Sequence, residues 1–409
     1  MNLRSTLLLG LLLAGCSAPP SGPGPGGGIP DETGTSKLRV PIPVGLLESG
    51  GVLVASRLHS SRPAQESVIP VAAGTQEFEV ARDEGDVLSV SVLSPEGEVA
   101  QVGTVQAGAT AFPSPPANPR LLRVPQDHRT LQAAVDAARA GDTVLVAPGT
   151  YSETVRLKSG IRLLGSGAAS TVLDGGGAPG KLVDFSGATD VVVAGFTFQN
   201  VGTGNGCDGG DVMKCSGNWY SAAVYADGHT EQGQAPTSAL VVHNVFRNNP
   251  IGVLLYFHAR AVVRNNIFVG NTHGFVANHL QDVGLLANNV FWENTEEAIV
   301  NQAAYIDIVG NVVARSGVGI LHQYIQNGRI RCNLFFQNGV NGADVHQVPP
   351  RFEIGKDGNI ELDPLFEHPE LGDFHPKQGS PLKGAGCFDG PDGTPQVLGA
   401  YGGPLGRWR

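Results

Sequence analysis

Two runs of alternating apolar and polar residues open the foldable part of the chain. Phe78-Glu79-Val80 and Val87-Leu88-Ser89-Val90-Ser91-Val92 repeat with the period of two expected of strands that bury one face. Asp83-Glu84-Gly85-Asp86 and Pro95-Glu96-Gly97 supply turns between such strands. The pattern over residues 37–110 predicts a small antiparallel β-domain, sandwich-like, and residues 111–120, with four prolines, read as the linker behind it. Residues 130–141 then switch to a helical period. Thr130 can cap the start, Leu131, Ala134, Val135 and Ala138 share a face, and Gly141 stands at the expected end. Short apolar runs at 143–146, 161–164, 182–185 and 191–193 return to strands.

The strongest pattern is a repeat. Asn244, Asn266, Asn289, Asn311 and Asn333 are spaced by 22, 23, 22 and 22 residues. Three residues before each lies an aliphatic: Val241, Val263, Leu286, Ile308 and Ile330. Two residues after lie Phe246, Phe268, Phe291, Val313 and Phe335, and five after lie Asn249, Asn271, Asn294, Ser316 and Asn338. Four columns in register through five repeats imply a solenoid in which each repeat buries its apolar face only against its neighbours. Like residues then stack, Phe on Phe inside and Asn on Asn at a bend, where side-chain amides continue the backbone ladder; the Asn columns are read as structural.

A period near 22 with three short β-runs per repeat resembles the right-handed parallel β-helix of the pectin lyase-like superfamily. The stretch 131–151 resembles the entry to many bacterial β-helices, with a helix capping the open core. Asp363-Pro364-Leu365-Phe366, Gly379-Ser380-Pro381 and Leu398-Gly399-Ala400-Tyr401-Gly402-Gly403 resemble the closing segment of the same proteins. The resemblance covers 121–403 and implies an all-β fold, a parallel β-helix of about eight coils and roughly 40 Å at the ~4.8 Å layer spacing of strands. Fold alone assigns no activity, since this superfamily hosts lyases, hydrolases, esterases and adhesins.

The N-terminus adds an address. Arg4 precedes the apolar run 7–14, which is shorter than the ~20 residues of a membrane-spanning helix and reads as a signal-peptide core. Leu13-Ala14-Gly15-Cys16 resembles the bacterial lipobox. The resemblance implies removal of residues 1–15, lipidation of Cys16 and attachment to a membrane through the lipid. Ser17, in place of the retention signal Asp, favours the outer membrane or cell surface. Residues 16–36, rich in Pro, Gly and Ser, form a tether. Gly 57 and Pro 28 make up about a fifth of the 409 residues, enough for many turns but without the collagen period. The formal charge of −10 argues against a nucleic-acid partner. A monomer is expected.

Candidate chemistry is sparse. From Val192 to Val241 the chain runs 49 residues, far more than one coil, and residues 201–220 form most of the insertion. A disulfide between Cys207 and Cys215 would close that loop, with free thiols or a metal site as rivals. Cys332 reads as a small buried residue, and its pairing with Cys387 is open. Asp208 and Asp211 supply too few of the 6–8 oxygens that Ca²⁺ takes, so calcium is a weak expectation, no other cofactor is expected and no metal site is assigned. The superfamily's lyases remove a proton beside a uronate carboxylate with Lys or Arg. Here no lysine lies between Lys214 and Lys356, and Arg260, Arg264, Arg329 and Arg331 are better read as salt-bridging surface residues. Acids between 251 and 345, Glu296, Glu297 and Asp307 among them, form no recurring pair for a hydrolase. Catalytic residues are therefore unassigned. The leading expectation is a surface lipoprotein that binds polysaccharide along the strand face next to the 201–220 loop, through a polar stripe just after the third strand of each coil. That stripe comprises Asp227, Tyr256, His258, Asn278, His279, Asn301, Gln302, His322, Gln323 and Tyr324, whose imidazoles, amides and rings suit sugar hydroxyls and faces. A divergent polysaccharide lyase is the alternative. A periplasmic metal-handling role, as in copper-related β-helix proteins, is a third reading and rests on the histidines.

Overall fold

The computed structural model describes residues 36–42, 50–94, 99–105, 118–203, 221–230, 233–234, 237–278, 283–302, 305–323, 329–344, 352–388, 396–403 and 405–406. The segment 1–35, which carries the expected signal peptide, Cys16 and all of the expected tether but Ser36, lies outside them, as do Cys207, Cys215, Asp208, Asp211, His279 and Tyr324. Residues 35–409 form one compact unit.

Three parallel sheets of nine, nine and eight strands wrap a right-handed parallel β-helix. Each coil contributes one strand to each sheet, from coil 1 (143–156) through coil 4 (237–256), coil 5 (259–278), coil 6 (283–302) and coil 7 (305–323) to coil 8 (330–344). Leu121–Val124 precedes the first coil and Ile360–Glu361 follows the last. The eight coils agree with the repeat arithmetic. The helix Leu131–Ala137 is capped by Thr130 Oγ1, which accepts from the Ala133 N–H at 3.1 Å, and it buries Leu131, Ala134 and Val135. It ends before Gly141, because Arg120 donates to the Ala137 carbonyl while Lys158 takes those of Asp136 and Ala138.

The expected columns are interior. Phe246, Phe268 and Phe291 stack with centroids 4.7 and 4.6 Å apart, all fully buried. Glycine at 252 and 274 makes room for them, since a Cβ there would lie 2.8 and 2.7 Å from the rings of Phe268 and Phe291. Each ladder asparagine spans layers. Asn289 Oδ1 accepts from the Asn266 backbone N–H and its amide, while Asn289 Nδ2 donates to the Val263 carbonyl and Asn311 Oδ1. The second column repeats the scheme through Asn249, Asn271 and Asn294.

A further column was not anticipated. The residue before each asparagine of the first ladder, His243, Asn265, Asn288, Gly310 and Cys332, has a left-handed backbone with φ between 50° and 71°. These residues hold the C-terminal segment. His243 Nε2 meets the Leu405 carbonyl at 2.6 Å, and Asn265 Nδ2 donates to the Ala400 and Gly402 carbonyls. Asn288 Nδ2 donates to the Val397 carbonyl, and the Gly399 N–H donates to the Gly310 carbonyl. Cys332 forms a disulfide with Cys387, which settles the pairing left open by the sequence. The segment also lays Phe366, Phe374, Leu382, Leu398 and Ala400 over the outward residues of the second sheet, Val290, Trp292 and Val312 among them.

The N-terminal part forms a four-stranded antiparallel sheet and a two-stranded pair around Leu38, Val40, Leu53, Val80, Leu88 and Val90. Its other face, with Val54, Leu58 and Leu93, packs on outward Leu240, Val262 and Leu285 of the solenoid's first sheet. This explains why Val87–Leu93 is buried throughout although its sequence alternates. The same seam corrects the arginines. Arg264 and Arg329 are 1% exposed. Arg264 Nη1 donates to Glu66 Oε1 at 2.6 Å, and Arg329 and Arg331 share Asp307 while donating to the His59, Ser60 and Ala64 carbonyls. They pair as expected, but beneath the small sheet and not at the surface.

Candidate functional site

The polar stripe expected just after the third strand lies instead largely within it, in its last two positions, and splits into two rows. Register pairs Asp227, Tyr256, Asn278, Gln302 and Gln323 across successive strands of the third sheet. The adjacent row is Ala226, Leu255, Ala277, Asn301, His322 and Asp344. Neighbours in a strand point to opposite faces, and Ala226, Leu255 and Ala277 line the core, so Asn301 and His322 point inward. Both are fully buried. His322 Nδ1 lies 3.4 Å from Asp344 Oδ2, its ring meets Phe352 edge-on, and neither amide atom of Asn301 has a hydrogen-bond partner among the described residues. Asn301 and His322 are therefore interior groups, not members of a surface stripe.

Two positions of the outward row are enclosed as well, while Asp227 and Tyr256 are half-buried. Asn278 and Gln302 are each 3% exposed, and beside them run buried Tyr225, Leu254, Val276 and Val300. Asp227 receives the Tyr225 hydroxyl and the His229 N–H, and burial still pushes its carboxyl above the usual range. His258 sits in the bend after its strand with φ 48°, and Gln323 keeps its place in the register.

At the N-terminal end of the same sheet, Gln132, Val155, Arg156, Lys181 and Asp184 line an open cleft of about 460 Å³. Lys181 Nζ stands 3.4 Å above the Tyr225 ring centre, and burial pulls its pKa down against the attraction of Asp184 and Asp227.

A different group forms at the start of the third strand in coils 5 and 6. His273 opens the strand His273–Asn278 and Glu297 opens its neighbour Glu297–Gln302, with Glu296 just before it. His273 Nδ1 lies 2.8 Å from Glu297 Oε2, and Nε2 lies 3.9 Å from Glu296 Oε2. One donor atom from each of the three can be chosen so that all lie within 4.8 Å of one another. The side chains are 5%, 41% and 19% exposed for His273, Glu296 and Glu297, so a buried imidazole faces one carboxylate that reaches solvent and one largely covered. An imidazole with two carboxylates is an N,O donor set of the kind that suits Cu²⁺ or Zn²⁺. Sequence reasoning missed the group. Its signal was the ladder itself, since His273 follows Asn271 by two residues, and Glu296 and Glu297 follow Asn294 by two and three.

Residues 153–357, half of the chain, match the family described as periplasmic copper-binding protein (NosD). The chain belongs to the NosD family. The matched span contains the His273 group and all of the Asn ladder from Asn244 to Asn333. No curated protein matches this NosD-family chain in sequence. Among solved structures it is similar to the family 28 exopolygalacturonase of Yersinia enterocolitica, with 16% identity and a TM-score of 0.37 over 66% of this chain and 63% of the other. Pectin methylesterase PemA from Erwinia chrysanthemi aligns at 12% identity and a TM-score of 0.31 over 64% and 99% of the two chains. The catalytic domain of a GH87 α-1,3-glucanase aligns at 12% and 0.34 over 76% and 59%. Among the described residues no helix is long and apolar enough to cross a membrane.

Proposed function

We propose that this NosD-family chain is an extracytoplasmic copper-handling protein whose solenoid is a rigid support for a surface metal site. The observation that carries the reading is the family match across coils that themselves bring an imidazole and two carboxylates together. The donor chemistry agrees: Cu²⁺ binds N and O ligands more tightly than the other divalent first-row metals, whereas Ca²⁺ takes 6–8 oxygens and is poorly served by a histidine. The lipobox-like Leu13-Ala14-Gly15-Cys16 supports a lipid-anchored location, tested by the mass of the mature chain and by release on Cys16→Ser. The test of function is metal uptake by the purified chain, measured by equilibrium dialysis against Cu²⁺, Zn²⁺ and Ca²⁺. Failure to retain Cu²⁺ ends the proposal.

Polysaccharide binding keeps one supporting observation, the amide oxygens of Asn278 and Gln302, which have no hydrogen-bond partner among the described residues. Affinity electrophoresis on uronate polymers, wild type against Gln302→Ala, tests it. Equal mobility shifts for the two would remove this row as the binding surface.

A further inference from the structure

We infer that His273, Glu296 and Glu297 form a surface Cu²⁺ site in which the protein supplies three donors and leaves the remaining positions open. This rests on the copper-handling reading above and names its residues.

The first support is a local insertion. In coil 5 three residues separate ladder Asn271 from Phe275, and in coil 7 three separate Ser316 from Ile320. In coil 6 four separate Asn294 from Ile299, although Phe275, Ile299 and Ile320 pair directly in the sheet. The extra residue falls in the bend at Thr295–Glu297. The bend is fixed on both sides: the Thr295 and Glu296 N–H groups donate to the Asn271 and Thr272 carbonyls, and the Glu296 carbonyl accepts from Val318. One added residue thus brings two consecutive carboxylates to the edge of the His273 imidazole.

The second support is the imidazole itself. His273 Nδ1 is buried and has no hydrogen-bond partner among the described residues, although Glu297 Oε2 approaches to 2.8 Å. A simple ion pair would align the ring N–H with the carboxylate. Two donors about 2.0 Å from one metal and at right angles to each other stand about 2.8 Å apart, which is the spacing seen here. Along the sheet the immediately flanking positions are Ile251, paired with His273, and Val318, paired with Glu297, so neither adjoining strand sets a charged group beside the pair.

The donor set selects the oxidation state. Cu⁺ prefers thiolate and thioether, and no sulfur belongs to this group; the whole chain has Met 2 and Cys 5, with Cys332 and Cys387 joined. Imidazole with carboxylate suits Cu²⁺ in tetragonal geometry, with the open positions taken by water or by a donor from a receiving protein.

The experiment titrates the purified full chain with Cu²⁺ against a competing chelator and records electron paramagnetic resonance. The wild type should bind one equivalent with nitrogen coupling from a single imidazole. His273→Ala should abolish that coupling, and Glu296→Gln with Glu297→Gln should weaken binding by more than about 100-fold, beyond the 10–100-fold typical of outer-shell losses. The Gln pair removes no bulk, so it keeps the test valid should His273→Ala fail to fold. If wild type and both folded variants bind Cu²⁺ equally, the site assignment falls while the copper-handling reading stands. If the wild type binds no Cu²⁺, both fall.

Discussion

Replacing Asn289 by alanine removes four buried hydrogen bonds at once. Two are received from the backbone N–H and amide of Asn266, and two are given to the Val263 carbonyl and Asn311 Oδ1. Each is worth about 0.5–1.5 kcal/mol net, and the Asn266 N–H loses its partner in a water-free interior, so the expected destabilisation is about 4 kcal/mol. Asn289→Asp is the sharper variant. It keeps the shape and the acceptor, but it removes both donations and sets a carboxylate oxygen against Asn311 Oδ1, so it should cost at least as much. Asn338→Ala, on the partly buried second ladder near the last coil, should cost roughly half, since its three bonds are nearer water. Equilibrium urea unfolding followed by circular dichroism measures all three. A loss below about 1 kcal/mol for Asn289→Ala, the level of a surface substitution, would refute the account of the ladder as a structural spine.

Phe268→Ala, between stacked rings above and below, should cost about 3–5 kcal/mol in the same assay, and a near-neutral result would place the ring outside. Glu66→Ala leaves Arg264 buried without its carboxylate and should cost about 3–5 kcal/mol, whereas Glu66→Leu with Arg264→Met should restore most of it. His243, pushed down to about 4 by burial, takes up its proton more readily unfolded than folded. Stability should therefore fall as pH drops from 6.5 toward 4, by an amount on the order of 3 kcal/mol. His243→Asn, the residue used at this bend in coils 5 and 6, should flatten that slope, and an unchanged slope would clear His243. Reducing the disulfide between Cys332 and Cys387, 55 residues apart, should lower stability by about 4 kcal/mol, read from unfolding with and without reductant.

The coil was legible because its constraints repeat. Stacked layers demand the same amide and the same ring every 22 or 23 residues, and that demand is written as columns. What did not repeat was hidden. The outward faces of the first two sheets are covered by segments distant in sequence, so the alternation of Val87–Leu93 promised an exposed face that Leu240 and Val262 in fact cover. Arg264 and Arg329 looked superficial for the same reason. The stripe of His and amide pairs was real in spacing but ambiguous in facing, because adjacent residues such as Asn301 and Gln302 share one spacing and opposite sides. The His273 group escaped because it arises where the repeat is broken by one residue, and a search for columns passes over a single irregular bend.

The two end segments also set how the molecule bears load. An unfastened solenoid peels one coil at a time, since each coil holds only its neighbours. Here the small sheet reaches coil 3 through the Thr104 N–H and Asp190, coil 5 through Arg264, and coils 7 and 8 through Asp307, Arg329 and Arg331. The C-terminal segment grips coils 4 to 8 through His243, Asn265, Asn288, Gly310 and Cys332. A pull between the two ends must shear these straps along the side walls before coils 3 to 8 can unwind. Force applied to the molecule in an optical trap should accordingly meet one high rupture event, and amides of coils 4 to 8 should exchange their hydrogens together as one block.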